Sequence, residues 1–335
     1  MDGTIDRRTF LGVLGAAGLA LPLASARAWG SIADSTNHFA WNTLVEGRAW
    51  STGGMSSGGN CLVLASEGEA LLVDSKFVGT SPVLRAEAEA RAGCMISMLV
   101  NTHHHGDHTG GNVGFSEAVI VSHAAASHRV AKQMQAYVQQ AENAEQTLRA
   151  LGTGDAIEKG AAQIGELRAR MAERNAAAFT ATRTLDRYPS VMKVGSLRVE
   201  LRHFGPGHTD NDVVVSVPEL NIVHTGDLVF NGLHPFCDQS GGVSIRGWIA
   251  ALLQVAEFCD ARTMVVPGHG AMTDLAGVVR QREYLEQLIE HVSEEIDRGA
   301  SRDEVMAKSW PFMNGLEFEQ IRPRAIGAAF DELSL

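Results

Sequence analysis

Hydrophobic residues along the 335-residue chain recur with two periods. Short apolar runs at Cys61 to Ser66, Ala70 to Asp74 and Met95 to Asn101 carry a strand signature, and Pro82 to Arg91 between the last two reads as a helix. A second set follows at Val119 to Ser122, Leu197 to His203, Asp212 to Val217, Ile222 to Asp227 and Met264 to Pro267, with helical patterns over Ile245 to Phe258 and Leu275 to Arg298. Two sheets covered by outer helices satisfy such α/β alternation.

Between Ala124 and Arg183 the pattern changes to Ala, Gln, Glu and Arg with almost no β-formers, interrupted by Gly152-Thr153-Gly154. Val130, Met134, Val138 and Ala141 share one helical face, and Ile157, Ile164, Leu167 and Met171 share another. The expectation is a helical insertion: a hairpin packed on the domain, a lid, or a contact between two copies of the chain. Phe318 to Leu333 reads as one more covering helix. No internal repeat or low-complexity linker divides the chain, so residues 29–335 read as one domain.

Composition narrows the class. With 45% hydrophobic and 20% charged residues the chain can bury a large core. Residues 1–28 stand apart as an export signal: Arg7-Arg8-Thr9-Phe10-Leu11, an apolar run to Ala24, then small residues. The run is shorter than the roughly 20 residues of a membrane span and is broken by Pro22. Paired arginines before Phe-Leu resemble the twin-arginine signal, which makes the periplasm the expected address. The formal net charge is −11, and loss of three arginines and two aspartates with the signal leaves it one unit more negative, which argues against a nucleic-acid partner. Cys61, Cys94, Cys237 and Cys259 lack Cys-x-x-Cys spacing, and their pairing stays open.

The chemistry concentrates where strands end. Met95 to Asn101 stops at Thr102-His103-His104-His105-Gly106-Asp107-His108-Thr109. Imidazole and carboxylate are natural zinc donors, and His103 and His105, two apart on an extended loop, can face one way. Asp107 and His108 can serve a neighbouring position. Three more sites follow, each just past an expected strand: Gly207-His208, Gly226-Asp227 and Pro267-Gly268-His269-Gly270. Flanking glycines let the chain turn sharply there.

This ordered set, His-x-His-x-Asp-His, Gly-His, Gly-Asp and Pro-Gly-His-Gly, resembles the metal signature of the metallo-β-lactamase superfamily over roughly Asn60 to Met272. The resemblance implies an αββα sandwich and two zinc ions per chain. His103, His105 and His208 would hold the first ion, Asp107, His108 and His269 the second, with Asp227 bridging both. It also implies that Asp74 is a buried support for the loop. The expected activity is hydrolysis of an ester, thioester, lactone or β-lactam-type bond in a small-molecule substrate by a metal-bridging hydroxide, with Asp107 orienting it. Asn231 and His234, on the loop after the bridging carboxylate, are expected substrate contacts.

Other histidines are discounted: His104 should point away from the ligands, and His123, His203 and His224 sit in or at the ends of strands. Trp41, Trp50 and Met55 read as core or hairpin packing, with a rim near the site as the other reading. Well-known β-lactamases carry a cysteine where this chain has Asp227 and a lysine where it has Phe230, so the match leans toward the family's thioesterases, lactonases and phosphodiesterases. The alternatives are a mononuclear iron persulfide dioxygenase, which uses nearly the same residues, and a non-catalytic, metal-stabilised binding protein.

Overall fold

A computed structural model of the chain describes residues 39–53, 58–77, 80–133, 135, 142, 146 and 179–334. The expected export signal and Met55 lie outside them. Among the described residues twelve strands form two sheets. The first runs in chain order through β1 (Ala40–Val45), β2 (Ala49–Gly53), β3 (Leu62–Ser66), β4 (Glu69–Val73), β5 (Met98–Val100), β6 (Val119–His123) and β7 (Arg183–Leu185). The second is ordered β12 (Met264–Gly270), β11 (Ile222–Asn231), β10 (Val214–Val217), β9 (Leu197–Arg202), β8 (Ser190–Val194).

Side-chain alternation builds the layers. Leu62, Leu64, Leu71 and Val73 point between the sheets, where they meet Val199, Leu201, Val215 and Val217. The intervening Val63, Ala65, Ala70 and Leu72 face outward onto Leu84 and Ala88 of the helix Ser81–Ala92. On the opposite side Val214, Val223 and Val265 face Trp248, Leu252 and Leu285 from the helices Ile245–Glu257 and Leu275–Asp297. The order is helix, sheet, sheet, helix: the expected αββα sandwich.

Several boundaries differ from the sequence expectation. Strands β1, β2, β7 and β8 were not anticipated; β1 is half-exposed and lacks a clean two-residue alternation. Trp41 and Trp50 lie in the β1–β2 hairpin, Trp50 buried and Trp41 donating from Nε1 to Glu87 Oε2 at 2.6 Å. In the expected helical insertion, residues 124–133 are helical, with Ala126 and Val130 buried four apart. Met134, Val138, Ala141 and the second face from Ile157 to Met171 lie outside the described residues. The helical stretch does not reach Arg183, which opens β7. Phe318, at φ 64°, cannot start the C-terminal helix, which spans Arg322–Leu333 after a 3₁₀ turn. All four cysteines are free thiols.

Candidate metal centre

The donors converge because parallel strands end at one edge. β4 and β5 are parallel neighbours, as are β11 and β12, so the segments beyond them share one rim. Asp74 follows β4 and ties the next loop to it: Thr102 donates its backbone N–H to Oδ1 (2.8 Å) and its hydroxyl to Oδ2 (2.7 Å). From there the chain bends through His103 and His104 to an extended His105, which leads into the short helix Gly106–Thr109 that carries Asp107 and His108. On the facing sheet the β9–β10 loop brings His208, β11 brings Asp227 and β12 brings His269. Asn60 fixes the last of these by donating to the carbonyls of Pro267 (3.0 Å) and Gly270 (2.9 Å). Gly226 holds φ +53°, and a Cβ there would lie 2.7 Å from that of Thr102.

Seven side chains meet across this rim. His105 Nδ1 lies 3.0 Å from His103 Nε2 and 3.1 Å from His208 Nε2. His269 Nε2 lies 3.4 Å from His108 Nε2 and 3.2 Å from Asp107 Oδ2. The carboxylate of Asp227 sits between the two sets, with Oδ2 3.7 Å from His103 Nε2 and 3.4 Å from both His208 Nε2 and His269 Nε2, and Oδ1 3.1 Å from His108 Nε2. Tetrahedral zinc with bonds of about 2.0 to 2.1 Å separates its donors by about 3.4 Å, close to these spacings. The donor set also fits a cation chemically. Nitrogens of neighbouring imidazoles are aimed at one another, and Asp227 Oδ1 is buried without an aligned hydrogen bond. Both His103, His105, His208 and Asp227 and the trio Asp107, His108 and His269 have donor atoms close enough to share an ion.

Outer contacts aim the rings. His108 Nδ1 lies 2.7 Å from Asp74 Oδ2, and His105 Nε2 lies 2.8 Å from Asp238 Oδ2. In the first cluster burial drives His103 well below the ordinary histidine range and His208 down to about 3. In the second, burial alone would lower His269, but the carboxylates of Asp227 and Asp107 outweigh it and raise the ring to about 9. His108 is raised likewise: burial opposes, and Asp227, Asp107 and Asp74 prevail. Asp227 and Asp107 are held below the usual carboxylate range, because His108 and His269 outweigh the effect of burial.

The other sequence candidates fall elsewhere. His234 is fully buried with both ring nitrogens engaged, Nδ1 3.0 Å from the Tyr284 hydroxyl and Nε2 2.9 Å from Glu319 Oε2. This corrects the expectation of a substrate contact. Asn231 is partly buried and donates to the Ala271 carbonyl at 2.9 Å. His104 is outside both clusters, bonded through Nδ1 to Asn211 and 3.6 Å from Asp238. His224 spans the Asn60 carbonyl and the Gly226 amide. Asp238 was missed as a partner of His105, since only a contact across 133 positions reveals it.

A sequence model of the Metallo-beta-lactamase superfamily matches residues 56–269. An uncharacterised protein of Mycobacterium tuberculosis is 33% identical over 109 residues, covering 31% of this chain and 48% of its own length. The metallo-beta-lactamase type 2 of Bacillus cereus is 29% identical over 83 residues, covering 25% of this chain and 32% of its own. The chain thus spans about half or less of the length of these curated relatives (48% and 32%). Among solved structures, the metallo-beta-lactamase FIM-1 from Pseudomonas aeruginosa, in its mono-zinc form, superposes with a TM-score of 0.53 at 17% identity over 74% of this chain and 95% of its own. A metallo-beta-lactamase from Pontibacter korlensis gives 0.52 at 18% identity, covering 73% and 97%. At such identities the likeness is one of fold.

Proposed function

Because the chain belongs to the metallo-β-lactamase superfamily, we propose that it is a dinuclear zinc hydrolase acting on an ester, thioester, lactone or β-lactam-type bond of a small molecule. One observation carries the reading: Asp227 stands 3.4 Å from His208 of one donor cluster and 3.4 Å from His269 of the other. His103, His105 and His208 would hold one ion and Asp107, His108 and His269 the other, with Asp227 shared. When bound, such ions lower the pKa of coordinated water from about 15.7 to about 7, so a nucleophile exists at neutral pH.

The chain's own residues do the rest. Asp107 is the most exposed carboxylate of the cluster, at 23%, and its depressed pKa keeps it ionised, so it can accept a hydrogen bond from the attacking water and orient it. Asp238 and Asp74 hold the rings of His105 and His108 in place. Phe230, where well-known β-lactamases have a lysine, packs parallel to His269 with ring centroids 5.2 Å apart, leaving no cation there for a drug carboxylate. This supports thioesters or lactones ahead of β-lactams. Residues 1–28 are proposed as a twin-arginine signal that delivers the folded chain to the periplasm; among the described residues no helix is long and apolar enough to cross a membrane.

The test joins metal content to turnover. Two zinc ions per chain and hydrolysis of at least one member of a lactone, thioester, ester and β-lactam panel are expected. Asp227→Ala should lose metal and activity while its circular dichroism is kept. One iron per chain with sulfide-dependent oxygen uptake would instead establish the dioxygenase, and a zinc-loaded chain inert to the whole panel would favour a binding protein.

A further inference from the structure

The C-terminal helix Arg322–Leu333 is anchored by the buried Ala325, Ile326, Ala328 and Ala329, so the residues on its outer face are held in place. The arginines around it are paired: Arg322 Nε lies 2.7 Å from Glu319 Oε1, and Arg302 Nε lies 2.7 Å from Asp331 Oδ1. Arg324 is exposed, and among the described residues no carboxylate lies within ion-pair reach of it. Its guanidinium instead lies over the ring of Phe236, 5.4 Å from the centroid. Phe236 is half-buried and packs against two residues of the metal centre, with centroids 5.7 Å from His105 and 6.3 Å from His208. Among the described residues, a cation without a carboxylate partner therefore stands one aromatic ring away from the first donor cluster, in a chain of net charge −11.

We propose that Arg324 is a specificity-determining residue that binds a carboxylate at the end of the substrate remote from the scissile bond, while the apolar stretch between the two lies on Phe236. This rests on the hydrolase reading above and adds a substrate class to it: an anionic, amphipathic acyl compound. A guanidinium presents a rigid fork of donors that matches a carboxylate, and Phe236 holds the fork in place before the substrate arrives. An unpaired cation beside the site also draws anions to a surface that otherwise repels them.

Two esters with one leaving group test this on the zinc-loaded full chain. 4-Nitrophenyl hydrogen glutarate and 4-nitrophenyl pentanoate share acyl length and differ in a terminal carboxylate. The expected preference in kcat/KM for the glutarate half-ester should fall about five-fold in Arg324→Gln, chiefly through KM, and be partly restored in Arg324→Lys. A second arm needs no turnover: calorimetry on the chelator-treated full chain should show glutarate binding more tightly than pentanoate, with the difference lost in Arg324→Gln. If glutarate affinity is the same in the wild type and Arg324→Gln, the proposal is overturned. Should neither ester be cleaved, ester hydrolysis fails while the calorimetric arm still decides the role of Arg324.

Discussion

His108 Nδ1 and Asp74 Oδ2 lie 2.7 Å apart, with both side chains fully buried. The same carboxylate receives the backbone N–H and the hydroxyl of Thr102, so one side chain orients the ring of a candidate ligand and closes the loop that carries four candidate donors. Asp74 itself sits at φ +60°, a left-handed conformation that most side chains avoid. Asp74→Ala is expected to weaken metal binding about 10- to 100-fold at the cluster holding His108. It should also cost about 3 to 5 kcal/mol of stability by leaving His108 and Thr102 without their buried partner. Metal titration and denaturant unfolding measure the two effects; a variant that keeps metal affinity would remove Asp74 from the site.

Gly268 is expected to admit no side chain. A Cβ there would lie 2.0 Å from Asp227 Oδ1 and 2.6 Å from the Gly226 carbonyl carbon, so Gly268→Ala must displace the shared carboxylate. Metal content should drop at both clusters. Gly232→Ala is the control: its φ is +79°, and nothing lies within 4 Å of an added Cβ. It should cost about 1 kcal/mol of backbone strain and leave metal content unchanged. Equal metal loss in the two variants would mean that crowding of Asp227 is not the cause.

The candidate donors were legible in the sequence because coordination demands several donors close together, and the loop from His103 to His108 supplies four within six positions. The alternating cores of β3, β4 and β10 were legible for a related reason, since each has one face between the sheets and one beneath a helix. β1 was not, because an edge strand with mixed exposure carries no clean period, and β2 was not, because it buries the polar Ser51 and Thr52. His234 was expected to contact substrate and is instead buried in the fold with both ring nitrogens engaged, while Asn231 is partly buried and donates to the Ala271 carbonyl. β11 continues through Asn231, and a bridge from Leu233 to Glu317 pins the following loop to the C-terminal segment, turning His234 into the fold. Asp238 left no local signal because its partner is distant in sequence.

Metal binding at the two clusters should differ in pH dependence. The metal-free chain carries a proton on His269 up to about pH 9, because Asp227 and Asp107 raise that ring despite its burial. That proton must leave before the nitrogen can bind an ion, so apparent affinity at the cluster of Asp107, His108 and His269 should fall about ten-fold per pH unit per proton as pH drops below 9. His208 stays neutral down to about pH 3 and burial holds His103 well below the ordinary histidine range, so these two rings should add little such loss at the other cluster between pH 9 and 6. The same raised pKa stabilises the metal-free fold below pH of about 6.5, and this contribution is lost as pH rises through about 9. Stepwise zinc titrations at pH 6 and pH 8, with proton release followed by indicator, check the order; equal slopes at both clusters would contradict it.

Asp238 sets the tautomer of His105. For Nδ1 to present a lone pair toward His103 and His208, the ring proton must be on Nε2, and Asp238 Oδ2 lies 2.8 Å from that nitrogen to receive it. Despite partial burial, the nearby His104 ring and hydrogen bonds from His105 and Ser240 hold Asp238 far below the usual carboxylate range, so it stays an acceptor throughout the working pH range. Asp238→Ala frees the ring to turn or to carry its proton on Nδ1, where it would block coordination. A loss of about 10- to 100-fold in metal affinity at the cluster of His103, His105 and His208 is expected. Asp238→Asn keeps an acceptor oxygen without the charge and should fall between this variant and the wild type. Nitrogen-15 chemical shifts of the His105 ring in the metal-free chain report the tautomer directly, and a ring still protonated at Nε2 in Asp238→Ala would show that His105 is set by other contacts.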